Sequence, residues 1–231
     1  MIADINIHSF ETFAMNRKSV REYTTQAVSK ETISRILTIA RSAPSGGNLQ
    51  PGKFVVLTGE ALKNFSNKLC LAIEGGLEVS QHYSYFPEPM PRSMLRLQAR
   101  SAASLFGAAG IDRNDALARS DLFMQNYRFF GAAVGIVVTI DRRMGSGCFM
   151  DLGLTLQTLL LAAQSAGLAS CGIGALANYG PYIVEKLGLD NHEIVVCGIA
   201  LGYEAEGAPI NQAKSERMPL AEYVTLSLIH I

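Results

Sequence analysis

The sequence predicts a single folded domain that mixes helices with strands, and three observations carry this expectation. Hydrophobic residues make up 48% of the 231 residues and charged ones only 17%, far from the polar, charge-rich composition of chains that stay disordered. A chain of this length buries roughly 70–75% of the surface its unfolded form exposes, enough for a substantial core. Segments with helical periodicity alternate with short β-branched runs, and no Pro/Ser/Gly-rich linker divides residues 1–231.

Ser29 can cap a helix through Ser29-Lys30-Glu31-Thr32, and Ile33, Ile36, Leu37 and Ala40 then share one face. That helix is expected to stop at Ala43-Pro44, because a residue before proline is pushed out of the helical region. Phe54 to Leu57 reads as a strand and Glu60 to Leu71 as a helix. From about residue 74 to 130 the chain makes a cap-like excursion. It opens with Gly75-Gly76 and then sets Pro87, Pro89 and Pro91 among Tyr83, Tyr85 and Phe86. Two polar helices follow, Arg92 to Ala109 and Asp112 to Phe130.

Ala132 to Ile140 has the near-continuous apolar run of a strand buried on both faces. Phe149 to Ala166 is helical and apolar nearly all round, as expected of a helix in the core or at a subunit interface. Gly167 ends it, and a helix near Pro181 to Leu187 and a strand from Glu193 to Leu201 complete the body. The closing residues 226–231 are apolar, either foreign to the fold or a strand added to a partner.

The 20 basic residues equal the 20 acidic ones, so there is no electrostatic footprint for nucleic acid or an anionic membrane. The longest apolar runs noted, Gly131 to Ile140 and Ile194 to Leu201, fall far short of the ~20 residues of a membrane span. The N-terminus lacks the basic and apolar regions of a secretory signal, so a cytoplasmic location is expected. Cys70, Cys148, Cys171 and Cys197 are scattered and read as small buried thiols, and no metal site is expected. The histidines, His8, His82, His192 and His230, have no triad or metal spacing. GxSxG, P-loop, HExxH and kinase signatures are absent, and Gly172-Ile173-Gly174 is only a fragment of a dinucleotide fingerprint.

Three polar constellations remain, and they suit a phosphorylated, planar cofactor. Arg17, Ser19 and Arg21 alternate along an extended segment that also holds Lys18, where two guanidiniums and a hydroxyl can clamp a phosphate and leave one cation over. In Pro44-Ser45-Gly46-Gly47-Asn48-Leu49-Gln50-Pro51 the glycines permit close backbone approach and the amides can read a heterocycle edge. The third is Pro209-Ile210-Asn211 with Lys214, Ser215, Glu216 and Arg217.

Together, and in this order, these motifs resemble the nitroreductase family of flavoproteins over most of the chain. Gly198-Ile199-Ala200-Leu201-Gly202-Tyr203 and Pro219-Leu220-Ala221-Glu222-Tyr223-Val224 join the match, and Asn126 to Gly131 is similar to the nitrobenzoate-reductase branch. The resemblance implies an α+β fold, a mostly antiparallel central sheet surrounded by helices in an intertwined homodimer, with FMN at the subunit interface. Carried over by motif, Arg17, Lys18 and Ser19 with Lys214 and Arg217 fall at the FMN phosphate, and Arg21 at the flavin N1/O2 edge. Pro44, Ser45, Gly46, Asn48 and Gln50 reach FMN from the neighbouring subunit. Ile173 and Gly174 lie beside the ring, where a backbone N–H can meet N5. The family's loop usually ends Gln-Pro-Trp, whereas this chain has Gln50-Pro51-Gly52.

What the resemblance implies chemically is a ping-pong exchange in which NADPH or NADH reduces FMN and an aromatic acceptor, a nitroaromatic or quinone, reoxidises it. No catalytic side chain is then obligatory. Tyr83, Phe86 and Tyr127 are the candidates to line the acceptor site, whereas Phe129 and Phe130 read as packing. Dehalogenation or flavin processing on the same fold, and non-enzymatic FMN binding, are the rival readings.

Overall fold

The structure, a computed structural model, describes residues 7–225, so the apolar end at 226–231 lies outside the described residues. Four strands form one antiparallel sheet in the order β1-β2-β4-β3: β1 Lys53–Thr58, β2 Val134–Asp141, β3 Ala169–Ile173 and β4 Glu193–Gly202. The central pair β2 and β4 is apolar along almost its whole length because both of its faces are covered. Val134, Ile136, Val138 and Ile140 meet α2 (Lys30–Ala40) and α6 (Ser146–Ser165) on one side. Val137, Val195 and Ala200 belong to the cluster on the other side, with Leu62, Phe65 and Leu69 of α3 (Gly59–Glu74) and Ile183 of α7 (Gly180–Lys186). Gly135 and Gly198 open a notch in that second face. A Cβ on Gly135 would stand 2.9 Å from Phe129 Cδ1, and one on Gly198 would stand 3.2 Å from Phe129 Cε1.

The helices follow their sequence signals with instructive differences. The Ser29 hydroxyl accepts the Thr32 N–H at 3.1 Å, Ile33, Ile36 and Ala40 are buried, and α2 ends ahead of Pro44. α1 (Ile7–Asn16) and α4 (Arg92–Ala108) flank the body, and α8 (Leu220–Tyr223) lies near the end. The second polar helix, α5, covers only Ala116–Met124, because the Asp115 carboxylate caps the Ala118 N–H at its start. Beyond Met124 the chain tightens into 3-10 turns over Gln125–Gly131, where Phe129 and Phe130 adopt φ of 49° and 53°. The α-helix expected to run on to Phe130 is therefore broken.

β3 was not expected. Its sequence, ASCGI, has one strong strand former, and only pairing with β4 makes it a strand. α6 is apolar on both sides although only one side is covered. Leu152, Leu159, Ala162 and Ala163 are buried, whereas Met150 and Leu154 are 67% and 44% exposed. By length and composition alone α6 is the one helix among the described residues that could cross a membrane, a feature the apolar runs noted in the sequence do not include. Cys70 and Cys171 are buried as expected, but Cys148 and Cys197 are only partly covered.

Candidate active site

The Arg17–Arg21 segment leaves α1 and runs alongside β3. The Val20 N–H donates to the Ser170 carbonyl at 3.1 Å, and Ser19 forms a parallel bridge with Ser170. Val20, 1% exposed, faces the core, which turns Arg17, Ser19 and Arg21 the other way. Burial raises the pKa of the neighbouring Cys171 thiol, and Arg21, a hydrogen bond with Ser19, and Arg17 oppose that rise. Among the described residues no ion pair joins Arg17 or Arg21 to a carboxylate. Lys18 is engaged differently, its ammonium lying 2.7 Å from Glu204.

Asn211 joins the two ends of the chain at this point. Its side-chain oxygen accepts the N–H groups of Arg21 and Glu22 at 2.8 and 3.1 Å, and its amide nitrogen donates to the Glu22 carbonyl at 2.9 Å. Farther along, Lys214 exchanges backbone hydrogen bonds with the Ser104 hydroxyl of α4, and Glu216 pairs with Arg100. Arg217 is folded onto the carbonyls of Ser215 and Glu216 rather than onto the first segment.

The loop from Pro44 to Gly52 is stiff and outward-facing. Gln50 N–H donates to the Ser45 hydroxyl at 3.0 Å, Asn48 N–H to the Ser45 carbonyl at 3.0 Å, and Gly46 N–H to the buried Asp151 carboxylate at 3.1 Å. Gly47, Asn48, Gln50 and Gly52 all have positive φ. The Gln50 side-chain amide donates to the Asn48 backbone carbonyl at 3.1 Å. A Cβ on Gly52 would come within 2.6 Å of Leu152 Cδ1, so α6 fills this corner from the inside.

Ile173 is buried at the end of β3, and Gly174 follows beneath Tyr85: a Cβ there would stand 3.1 Å from the Tyr85 ring. Tyr85 packs edge-on against Phe86 with centroids 4.8 Å apart, and both remain about half exposed. Tyr83 is tied inward, its hydroxyl donating to the Val196 carbonyl at 2.7 Å and its ring meeting Phe149. Tyr127 corrects the sequence expectation. It is 1% exposed, pressed against Tyr179 and Phe123, and burial pushes its phenol pKa up to about 12, so its ring is core rather than acceptor surface. The aromatic that reaches Gly174 is Tyr85, which spacing alone did not single out from its neighbours.

His82 anchors the base of the excursion against the start of α7. Its Nδ1 is buried and has no hydrogen-bond partner among the described residues, and a Cβ on Gly180 would lie 2.6 Å from it. Burial, and secondarily the charge of Arg142, depress the imidazole pKa below its ordinary 6.5. The folded state thus favours the neutral ring, and its stabilising contribution is present above about pH 6.5 and lost as pH falls below it. His82→Gln is expected to flatten the acid side of the stability profile between pH 7 and 5, measured by urea unfolding; an unchanged slope would exclude His82 as its source.

Comparison with known proteins agrees with this geometry. The sequence profile of the nitroreductase family matches residues 14–203, and the chain belongs to that family. It is 35% identical to a 4-nitrobenzoate reductase of Pseudomonas putida over 210 residues, covering 91% of this chain and 90% of that protein. It is 33% identical to a chloronitrobenzene nitroreductase of Comamonas testosteroni, covering 91% and 93%. Among solved structures, the FMN and NADPH-dependent nitroreductase NfnB of Sphigopyxis sp. strain HMH superposes with a TM-score of 0.92 at 33% identity, covering 95% of this chain and 99% of that one.

Proposed function

We propose that this protein is an FMN-dependent oxidoreductase that takes hydride from NADPH or NADH and reduces nitroaromatic or quinone-type acceptors. The observation that carries this reading is the extended segment pinned beside β3, where buried Val20 turns Arg17, Ser19 and Arg21 to the other side, in a chain similar to nitroreductases along nine-tenths of its length. These groups fit FMN. Arg17 and Ser19 offer bidentate and hydroxyl donors to a dianionic phosphate, and Arg21 offers a cation to the pyrimidine edge of the ring. Lys18, Lys214 and Arg217 contribute less, since Lys18 is paired with Glu204, Lys214 is bonded through its backbone to Ser104, and Arg217 is bonded to the carbonyls of Ser215 and Glu216. Ile173 and Gly174 present backbone to the ring, and a Cβ at Gly174 would come within 3.1 Å of Tyr85, so glycine is what lets that aromatic ring close over the end of β3.

FMN, when bound, supplies the hydride-accepting and hydride-donating chemistry. The protein's own groups bind, orient and screen. Tyr83 fixes the cap stem, and Phe86 with Tyr85 forms the aromatic surface on which a planar acceptor stacks. The excursion at 74–130 is the roof of the site within one domain spanning 1–231. Reductant and acceptor use the same position in turn, so no side chain has to serve as acid or base.

The functional unit is a homodimer. The loop at Pro44, Ser45, Gly46, Asn48 and Gln50 is directed outward, and the open apolar side of α6, with Met150 and Leu154, offers the surface for a second copy. That loop then completes the partner's FMN site. A cytoplasmic location fits the use of a pyridine nucleotide as reductant.

The test is an anaerobic visible spectrum of the purified protein. The flavin absorbance is expected to bleach with NADPH or NADH and to return when 4-nitrobenzoate or a quinone is added. A flavin that bleaches but is not reoxidised by either acceptor would refute the acceptor class, and one that never bleaches would indicate a binding protein.

A further inference from the structure

We propose that Phe130 and Asn211 are positioning residues that hold Arg21 from two sides, its guanidinium and its backbone, and thereby set how strongly the protein stabilises reduced FMN. The inference rests on the placement of Arg21 at the flavin given above. It assigns roles to two residues that do not themselves touch the cofactor.

Asn211 is 1% exposed and saturated. An amide side chain has two acceptor sites and two donors. Here the oxygen takes the N–H groups of Arg21 and Glu22, and the nitrogen donates to the carbonyls of Glu22 and, at 3.4 Å, Ala205. Residues separated by about 190 positions are thus locked together at the residue that carries the critical cation. Removing the amide leaves the Arg21 and Glu22 backbone groups without their partner.

Phe130 acts on the other end. Its ring centroid lies 5.9 Å from Arg21 Cζ, while Arg21 Nη1 donates to the Ser19 carbonyl at 3.3 Å. The ring is delivered by an uncommon backbone. Phe129, Phe130 and Gly131 are left-handed in succession, with φ of 49°, 53° and 72°, and two consecutive phenylalanines there carry strain. Such strain persists only where the surroundings over-determine it. Here the notch above Gly135 and Gly198 seats Phe129 in the core, and this turns Phe130 toward Arg21. An aromatic face attracts a guanidinium without neutralising it, whereas a carboxylate would cancel the charge. Arg21 is thereby held while keeping its charge, with the donors not bonded to Ser19 available to an anionic ligand.

The experiment titrates the apoprotein with FMN and measures the midpoint potential of the bound flavin in Arg21→Ala, Phe130→Leu, Phe130→Tyr, Asn211→Ala, and in Arg21→Ala combined with each of Phe130→Leu and Asn211→Ala. Arg21→Ala is expected to weaken FMN binding by about tenfold or more and to lower the potential, as loss of a charge-assisted contact would. Phe130→Leu and Asn211→Ala are expected to weaken binding by about three- to tenfold and to lower the potential in the same direction. Phe130→Tyr is expected to restore both quantities, and neither Phe130→Leu nor Asn211→Ala is expected to add to Arg21→Ala. If the two substitutions lower thermal stability but leave affinity and potential at wild-type values, or add in full to Arg21→Ala, the proposal is overturned. If Arg21→Ala itself moves neither quantity, the placement of Arg21 at the flavin is what fails, and the positioning roles fail with it. Should Asn211→Ala not fold, the contrast between Phe130→Leu and Phe130→Tyr decides the matter.

Discussion

Gly52→Ala is expected to destabilise the protein by about 2–4 kcal/mol, the sum of a left-handed backbone penalty and an overpacked contact. Gly52 has φ of 101°, beyond the left-handed region that asparagine or aspartate visits, and its missing Cβ would stand 2.6 Å from Leu152 Cδ1. Leu152 is 1% exposed and packed in the core cluster, so it has little room to turn away. The effect reaches the site as well. Gly52 ends the loop whose Gly46 N–H is bonded to Asp151, the residue just before Leu152 on the same helix. Urea unfolding should show a lower midpoint at constant slope, and FMN binding should weaken with it. A loss below about 1 kcal/mol would mean that Leu152 repacks freely.

Replacing Arg17 and Ser19 together by alanine is expected to weaken FMN binding by about 100-fold, because two charge-assisted or hydroxyl contacts at roughly 1.5 kcal/mol each are lost from one phosphate. Stability should change little, since neither side chain is buried and the segment stays pinned by the Val20 to Ser170 hydrogen bond and by Asn211. Lys18→Ala is the control. Its ammonium is occupied by Glu204, so a much smaller loss is expected, on the scale of an exposed ion pair. Equal losses for Lys18→Ala and the double substitution, measured by flavin fluorescence on titrating the apoprotein, would show that general positive charge, not this geometry, holds the phosphate.

The legible parts of this protein were those governed by short-range rules. Ser29 and Pro44 bracket α2 because capping and the restriction before proline act within a few residues. The apolar run of β2 announced a strand covered on both faces. The extended course of the basic segment was legible as well, because alternation along such a chain puts Arg17, Ser19 and Arg21 on one side and buried Val20 on the other. Lys18, on the opposite side, finds Glu204, a partner that no local pattern indicates.

The errors have a common cause. β3 is a strand only because β4 pairs with it, and α5 stops early because the Gly135–Gly198 notch draws Phe129 into a left-handed turn. Local pattern at Tyr127 does not distinguish an acceptor-facing ring from a core one, and only the packing against Phe123 and Tyr179 buries it. By itself, the sequence determined the elements whose signals are local, the order of the basic and amide-rich motifs, and the chemistry those motifs can perform. Tertiary structure alone decided which charges remain unpaired, which aromatic reaches Gly174, and how Asn211 and Phe130 close on Arg21. Those outcomes depend on contacts between residues far apart in the chain, and such contacts are chosen by packing and by the need to satisfy every buried polar group.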